Sequence, residues 1–245
     1  MKRSYIFNFN QDTFIFSSQW KSESKIISNG IYLEHNAEHF NCNPQNAAQF
    51  IIEQYCNSKN ININQDNIKE QIKKSLEIYD FGGESSFDEV AKITSQAQDH
   101  KASVIIGAGG GKILDAVRAS AEQLNLPVIC CPTTAASDAP CSTVSVIYTP
   151  EGVFETCLLS RRNPDLVLVD TSVILKAPLR GLIAGMGDAL ATYFEADACS
   201  RARKTNILGG SSALCARMIA QLCYTTLLED GKTALNDARA GLLTP

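Results

Sequence analysis

Ser103-Val104-Ile105-Ile106-Gly107-Ala108-Gly109-Gly110-Gly111-Lys112 is the stretch that decides the fold. Its first four residues form a short apolar run rich in β-branched side chains, which predicts a buried strand. After the glycines, apolar residues recur at helical spacing over residues 113–124, and residues 127–131 form a second apolar run. The order strand, glycine turn, helix, strand predicts a βαβ unit with a parallel sheet.

The flanking segments extend this pattern on both sides. Ser86 and Glu89 form a capping box that predicts a helix ending near His100. Residues 144–149 and 153–160 flank Pro150-Glu151-Gly152, which predicts a hairpin. A further buried strand is expected at residues 166–169, ending at Asp170.

The chain becomes helical in pattern from Pro178 onward. Residues 182–198 and 211–228 are predicted to be buried helices, with Gly231-Lys232 separating the second from a third. The expected fold class is therefore α/β: a Rossmann-like parallel-sheet domain at residues 1–176, then the start of an all-helical domain at residues 177–245.

The first 80 residues differ in composition from the rest. They contain twelve Asn and one Gly, whereas residues 81–245 contain four Asn and fourteen Gly. Short strands or a hairpin are predicted at residues 5–10 and 13–17, and helices at residues 44–55 and 67–79. We treat residues 1–80 as an atypical part of the first domain.

Composition restricts the class of protein. The net charge of -4 over 245 residues gives no reason to expect a nucleic-acid partner. We found no apolar run long enough to span a membrane and no signal-peptide core, so a cytoplasmic protein is expected. The nine cysteines include no C-x-x-C pair, and buried reduced thiols explain them better than a zinc-cysteine site.

The glycine turn is the first candidate site. Glycine lets a backbone approach a pyrophosphate, and the N–H groups of the following helix point at the anion. Lys112 adds a charge, and Asp115 lies one turn into the helix. A plain strand-to-helix turn is the alternative, because the stretch matches neither G-x-G-x-x-G nor the P-loop pattern.

The second candidate site is the small, hydroxyl-rich stretch at residues 132–142. It follows a strand end, where open α/β sheets bind ligands. Its hydroxyls can donate to a ribose or phosphate, and Asp138 can accept from a substrate hydroxyl. An ordinary Ser/Thr-rich loop is the alternative.

The third candidate is Asp188, at the start of a strongly apolar run. It is either a helix N-cap or a carboxylate ligand of a divalent metal. Glu195, seven residues on, suits an outer role at the same site or a buried salt link. A separate pattern, His35-Asn36-Ala37-Glu38-His39, matches H-x-x-E-H, but five residues match by chance too often to support a metalloprotease.

Taken together, several stretches resemble bacterial glycerol dehydrogenases, which belong to the iron-containing alcohol dehydrogenase superfamily. The likeness covers about residues 80–245 in order. The stretches are Phe81-Gly82-Gly83-Glu84, Gly109-Gly110-Gly111-Lys112 with Asp115, Pro132-Thr133, Ser137-Asp138-Ala139-Pro140-Cys141-Ser142, Val144-Ser145-Val146-Ile147-Tyr148-Thr149, Asn163-Pro164-Asp165 and Gly185-Met186-Gly187-Asp188.

The resemblance implies a role for each matching position. It implies that Gly110, Gly111 and Lys112, with Asp115 nearby, bind the pyrophosphate of NAD. It places four residues at the nicotinamide end: Thr133, Ser142, Val144 and Tyr148. It implies that Asp138 contacts glycerol and that Asp188 is a catalytic residue, a substrate contact and a ligand of zinc, or of Fe²⁺. NAD-dependent oxidation of glycerol, or a similar small diol, to dihydroxyacetone is then expected.

Two departures qualify the resemblance. One is that residues 1–80 do not show the family's opening strand, helix and strand. The other concerns the metal site and the later helices. The family completes its metal site with two later histidines, but no histidine follows His100. The family also continues with more helices, so we expect an incomplete enzyme, with a non-catalytic nucleotide-binding fragment or subunit as the alternative. A homo-oligomer is expected of the complete protein. The uncovered apolar faces of residues 182–198 and 211–228 are expected to cause self-association.

Overall fold

A computed structural model of the protein describes residues 3–7, 26–27, 30–35 and 76–242, with side chains described from Tyr79 onward. The described strands are β1 (Arg3–Phe7), β2 (Ile26–Ile27), β3 (Gly30–His35), β4 (Leu76–Asp80), β5 (Val104–Gly109), β6 (Val128–Pro132), β7 (Val144–Tyr148), β8 (Phe154–Leu159) and β9 (Leu166–Asp170). The described helices are α1 (Phe87–Asp99), α2 (Gly111–Leu124), α3 (Thr171–Leu175), α4 (Leu179–Arg201) and α5 (Leu214–Ala240).

The predicted βαβ unit is confirmed. Strand β5 leads through the glycine turn into α2, and β6 then pairs parallel to β5, with Gly107 opposite Cys130 and Gly109 opposite Pro132. Gly107 is required by the packing, because a Cβ there would lie 2.5 Å from a Val117 methyl group. The helix therefore lies close against the strand that precedes it.

The main sheet has the order β2-β3-β9-β6-β5-β1-β4. Its centre is parallel, because β3 pairs parallel to β9, β9 to β6 and β6 to β5. Strand β1 is antiparallel to both β5 and β4, and β2 is antiparallel to β3. The parallel strands all end at one edge, which is where ligands bind in open α/β sheets.

Two helices and the sheet share one hydrophobic core. Helix α1 contributes Val90, Ile93 and Ala97, and α2 is buried along Ile113–Ala121. Ser86 caps α1 as predicted, since its Oγ accepts from the Glu89 amide at 3.2 Å. The Glu89 carboxylate turns instead toward Tyr79 and Gly82, on the segment before the helix.

The predicted hairpin is also confirmed, as the two-stranded sheet β7-β8. Its register shifts between Ile147 and Tyr148. Ile147 is fully buried, whereas most of β8 is exposed.

Three predictions about the elements are wrong. The predicted helix at residues 67–79 does not extend over β4, because Leu76-Glu77-Ile78-Tyr79 alternates in polarity and pairs with β1. Gly231 does not interrupt α5, which runs through it to Ala240, since a mid-helix glycine weakens a helix without ending it. The two long helices are not buried: α4 has no buried residue and α5 has only Ala220.

Other predictions for the first 80 residues fall mainly outside the described part. Strand β1 confirms part of the prediction at residues 5–10, whereas residues 13–17 and 44–55 lie outside the described residues. Among the described helices, none is both long and apolar enough to cross a bilayer.

The described residues divide into two compact units. The first lies within Met1–Thr133 and Ala139–Val173, and the second within Thr134–Asp138 and Ile174–Pro245. The predicted division at residue 176 stays a prediction. A feature that the sequence did not indicate is that Thr134–Asp138 groups with the long helices.

Candidate functional site

The glycine turn places the start of α2 at the carboxyl edge of the parallel strands. Gly110 is the N-cap, with extended backbone (φ -83°, ψ -180°) and no side-chain cap hydrogen bond. The first N–H groups of a helix lack intrahelical partners, so an uncapped start suits an anion. Gly109 has a packing reason as well, because a Cβ there would overlap the Ile113 side chain.

Lys112 lies at this turn between two side chains from other elements. Its Nζ is 2.5 Å from Glu84 Oε1 and 2.6 Å from Glu84 Oε2, so the carboxylate holds the ammonium with both oxygens. The same Nζ lies 5.3 Å from the centre of the Tyr148 ring. Two predicted cofactor residues, Lys112 and Tyr148, are therefore neighbours, and Glu84 joins them.

The loop that carries Glu84 is anchored at both ends. Near its start, Glu89 Oε1 accepts from the Gly82 amide at 2.5 Å and from the Tyr79 hydroxyl at 3.0 Å. At its end, the Tyr148 amide donates to the Ser85 carbonyl at 2.8 Å. Burial, together with the hydrogen bond and charge of Glu89, raises the pKa of Tyr79 to about 12, so the phenol stays a proton donor.

Arg118 connects α2 to the segment after β6. Its guanidinium is fully buried and pairs with Asp115 Oδ1 at 2.9 Å. It also donates to the carbonyl oxygens of Val144, at 2.6 Å, and of Ala139. Asp115 is thus shown in a buried ion pair, and its predicted contact with a cofactor stays a prediction.

The other predicted cofactor residues are Thr133, Ser142 and Val144, and hydrogen bonds show where each is held. The Thr133 amide donates to the Gly109 carbonyl at 3.0 Å, which ties the end of β6 to the glycine turn. Ser142 Oγ accepts from the Val144 amide at 3.0 Å. Hydrogen bonds thus link the predicted residues in two groups, Gly109 with Thr133 and Ser142 with Val144.

Asp188 lies in the second unit, and its N-cap interpretation is wrong. Helix α4 starts at Leu179, with Pro178 at the cap position, so Asp188 is more than two turns inside the helix. Its side chain is exposed, as is that of Glu195, so the predicted buried salt link of Glu195 is wrong too. A helix that continues past residue 188 leaves this carboxylate free of any capping function.

The glycines of α4 bring the helix against Thr134–Asp138 within the second unit. A Cβ at Gly181 would lie 2.5 Å from Thr134 Oγ1, and one at Gly185 would overlap the Ala135 carbonyl oxygen. Gly181, Gly185 and Asp188 follow helical spacing, so they share a face. Asp188 therefore lies on the helix face that packs against the segment leading to Asp138. The Asp138 side chain is exposed.

The described side chains include no group of three or more His, Cys, Asp or Glu residues that could hold a metal ion. A catalytic zinc usually has three protein ligands, and Asp188 supplies one carboxylate. The described residues therefore do not fit a catalytic metal centre. His35, from the H-x-x-E-H pattern, is the last residue of β3, and residues 36–39 lie outside the described part.

The cysteine prediction is correct only in part. The described cysteines are free thiols, and Cys130 is buried, but Cys141, Cys157 and Cys215 are exposed. Burial raises the pKa of Cys130 to about 11, so this thiol stays protonated near neutral pH. Cys42 and Cys56 lie outside the described residues.

Two residues of this site were missed by sequence reasoning. Glu84 was noted only as part of a motif, because its pairing with Lys112 spans 28 positions of sequence. Arg118 carried a usable signal: it is a charged residue on the apolar face of a helix, three positions after an aspartate. Such a pair on a buried face predicts a buried ion pair.

The parallel centre of the sheet, with a helix that starts at the carboxyl edge of its strands, defines the class as an open α/β protein. The family model described as iron-containing alcohol dehydrogenase matches residues 33–171. The chain belongs to the iron-containing alcohol dehydrogenase family. The match starts within the stretch set apart by composition, so at least part of residues 1–80 is family sequence.

Individual relatives agree with this assignment. The chain is 48% identical to glycerol dehydrogenase of Escherichia coli O6:H1 over 170 residues, which are 69% of this chain and 46% of that protein. It is 47% identical to glycerol dehydrogenase of Thermotoga maritima over 165 residues, covering 67% and 45% of the two chains. The chain spans about half the length of the curated relatives it matches.

A solved structure supports the fold. The crystal structure of glycerol dehydrogenase from Schizosaccharomyces pombe matches with a TM-score of 0.68 at 32% identity, covering 88% of this chain and 55% of that one. The predicted α/β fold class, with a helical C-terminal part, is confirmed.

Proposed function

We propose that the first unit binds NAD and that the protein takes part in the NAD-dependent oxidation of glycerol, or a similar small diol, to dihydroxyacetone. The observation that carries this is the uncapped start of α2, with Lys112 beside it and Tyr148 next to Lys112. Relatives named glycerol dehydrogenase at 44–48% identity supply the substrate class.

In this proposal, the Gly110 and Gly111 turn and Lys112 bind the diphosphate. Backbone N–H groups at the helix start and one ammonium complement its negative charge without needing a side-chain cap. Thr133, Ser142, Val144 and Tyr148 line the nicotinamide end. Asp115 acts through Arg118, which fixes the carbonyl of Val144. Bound NAD would supply the hydride acceptor.

The second unit is proposed to contact the diol. Asp138 and Asp188 are exposed carboxylates, and each can accept a hydrogen bond from a hydroxyl group. Asp188 as a ligand of Zn²⁺ or Fe²⁺ stays a prediction, and the described side chains offer no group of three ligands around it.

The alternative function is nucleotide binding without turnover. The same finding about metal ligands favours it, since catalysis in this class is expected to need a divalent ion. The anion-binding helix start does not depend on that ion, so binding and turnover are separable properties.

A paired measurement decides between these functions. NADH binding is measured by fluorescence titration, and glycerol-dependent NADH formation is followed by absorbance with added Zn²⁺ or Fe²⁺. Binding with turnover supports the proposal, and binding without turnover in either metal supports the alternative. A chain that binds no NADH contradicts both. Lys112→Gln tests the proposed site itself, and it is expected to weaken NADH binding about tenfold, as loss of a charged hydrogen bond does.

A further inference from the structure

The Lys112–Glu84 pair has a consequence for how the proposed cofactor site gains its ligand. Both oxygens of Glu84 lie within 2.6 Å of the ammonium. An ammonium has three protons. Two of them are directed at the carboxylate, at the helix start where a diphosphate is proposed to bind. The cation therefore already has an anionic partner.

The carboxylate is more firmly held than the lysine. The Glu84 loop is tied to the buried Glu89 through Gly82, and to the hairpin through the Ser85 carbonyl. The Lys112 side chain is 46% exposed and that of Glu84 is 26% exposed. Since lysine has a flexible four-carbon stem, its ammonium is the partner that can turn toward a new anion.

We propose that Glu84 competes with the dinucleotide diphosphate for Lys112 and thereby lowers the affinity of the site for its cofactor. Binding transfers the ammonium from the carboxylate to the diphosphate, and release returns it. The proposal rests on the proposed function and deepens it by assigning Glu84 a role in cofactor affinity. Glu84 has like charge to the diphosphate, so its repulsion acts in the same direction as its competition.

The expected size of this effect is modest, because the pair is partly exposed. Exposed ion pairs have small net energies, so removing the competing charge is expected to tighten binding about two- to fivefold. Salt screens both the pair and the repulsion, so the difference between the proteins is expected to shrink as ionic strength rises.

The helix that carries Lys112 also carries a carboxylate that serves as a matched control for Glu84. Glu122, near the end of α2, pairs with Arg161 at 2.5 Å, and its side chain is 26% exposed, as is that of Glu84. Glu122→Gln therefore makes the same change of charge at a comparable carboxylate, away from the glycine turn. Glu84→Gln keeps the size of the side chain and removes its charge.

The test is the NADH dissociation constant of the whole chain, measured by fluorescence titration at two salt concentrations. Glu84→Gln is expected to lower the constant about two- to fivefold, and Glu122→Gln to leave it unchanged. In the Lys112→Gln background, Glu84→Gln is expected to have less effect, because the ammonium for which Glu84 competes is absent. Unfolding midpoints of all variants establish that each is folded.

Three outcomes would overturn the inference. Unchanged binding by Glu84→Gln means that the carboxylate does not compete. Weaker binding means that Glu84 orients Lys112 for the diphosphate instead. Equal tightening by Glu84→Gln and Glu122→Gln means that net charge alone is responsible. If the unmodified chain binds no NADH, the proposed function itself fails and this inference fails with it.

Discussion

The two units of this chain differ in how they use burial. In the first unit, nine residues of α2 are buried, including the ion pair of Asp115 and Arg118. In the second, α4 has no buried residue and α5 has one, and Leu214, Met218 and Leu222 are each more than 60% exposed. The first unit therefore encloses even charged groups, whereas the second leaves large apolar side chains in solvent.

The difference in burial means that the two units differ in how much stabilising free energy they gain on folding. Buried apolar area is the main favourable term in folding, and a buried charge is tolerated only when it is paired. The described part of the second unit relies on contacts between α4 and α5, such as the cluster of Tyr193, Phe194 and Tyr224. Substitutions should accordingly cost most in the first unit.

Arg118→Met is expected to have the largest effect. It leaves the buried Asp115 carboxylate without this partner and removes hydrogen bonds to the carbonyls of Ala139 and Val144. Breaking a buried ion pair from one side costs about 3–5 kcal/mol. Urea unfolding measures this loss. Arg161→Met, which breaks an exposed pair, is the control and should cost no more than about 1 kcal/mol.

A cost below that of the Arg161 control would contradict the role given to Arg118. It would mean that Asp115 protonates or finds another partner without loss. The double variant Arg118→Met with Asp115→Asn tests this, because a neutral amide at residue 115 needs no positive partner. Its stability is compared with that of Arg118→Met alone.

Ile93→Ala and Leu222→Ala compare the two units with apolar truncations. Ile93 on α1 is fully buried, so its truncation is expected to cost about 2–5 kcal/mol. Leu222 on α5 is 65% exposed, and its truncation is expected to change stability by about 0.5 kcal/mol or less. Urea unfolding followed by circular dichroism gives the midpoint for each variant. The unfolding of the first unit is compared for Ile93→Ala, and the loss of helical signal is compared for Leu222→Ala. Equal costs would end the contrast between the units.

Two glycines of α4 test how this helix packs within the second unit. Gly185→Ala puts a methyl group onto the Ala135 carbonyl and is expected to destabilise the unit by about 1–3 kcal/mol. Gly187 has nothing within 4 Å of its Cβ position, so Gly187→Ala should stabilise the helix by about 0.5–1 kcal/mol. Thermal unfolding monitored at a helical wavelength gives both values. If Gly185→Ala is also stabilising, α4 does not pack on Thr134–Asp138 as described.

Much of the first unit could be predicted from sequence, since its signals are local. The run at residues 103–106 and the helical spacing after it predicted β5 and α2, and Pro150-Glu151-Gly152 predicted the hairpin. Local signals failed where pairing with a distant segment determines the secondary structure. The 67–79 prediction followed helical spacing, but residues 76–80 pair with β1, which is distant in sequence.

The candidate site was predictable as a list of residues but not as an arrangement. The glycine turn and Lys112 carry their chemistry in a short motif, so they were found directly. The partners of Lys112 could not be predicted, because Glu84 lies in a loop 28 residues before it and Tyr148 ends strand β7, 36 residues after it. Asp188 was mistaken for a possible cap because its glycine-rich approach resembles a helix start, while α4 already begins at Leu179.

Tyr79→Phe probes the weakest of these effects, the anchor of the Glu84 loop. The substitution removes the hydrogen bond from the Tyr79 hydroxyl to Glu89 and should lower the free energy of unfolding by about 1 kcal/mol at neutral pH. The pKa of Tyr79 is raised from 10 to about 12 in the fold, mainly by burial, so the folded state binds this proton more tightly than the unfolded chain. Its contribution is therefore complete below pH 10 and is lost as pH rises toward 12.

The Tyr79→Phe protein lacks this titration, so its stability should fall less steeply between pH 10 and 12 than that of the unmodified protein. Cys130, whose pKa is raised to about 11, contributes a decline of the same sign to both proteins and cancels in the comparison. Urea midpoints of the two proteins across this window measure the difference. Parallel curves would show that Glu89 does not hold the Tyr79 proton, and the loop carrying Glu84 would then rest on Gly82 and Ser85 alone.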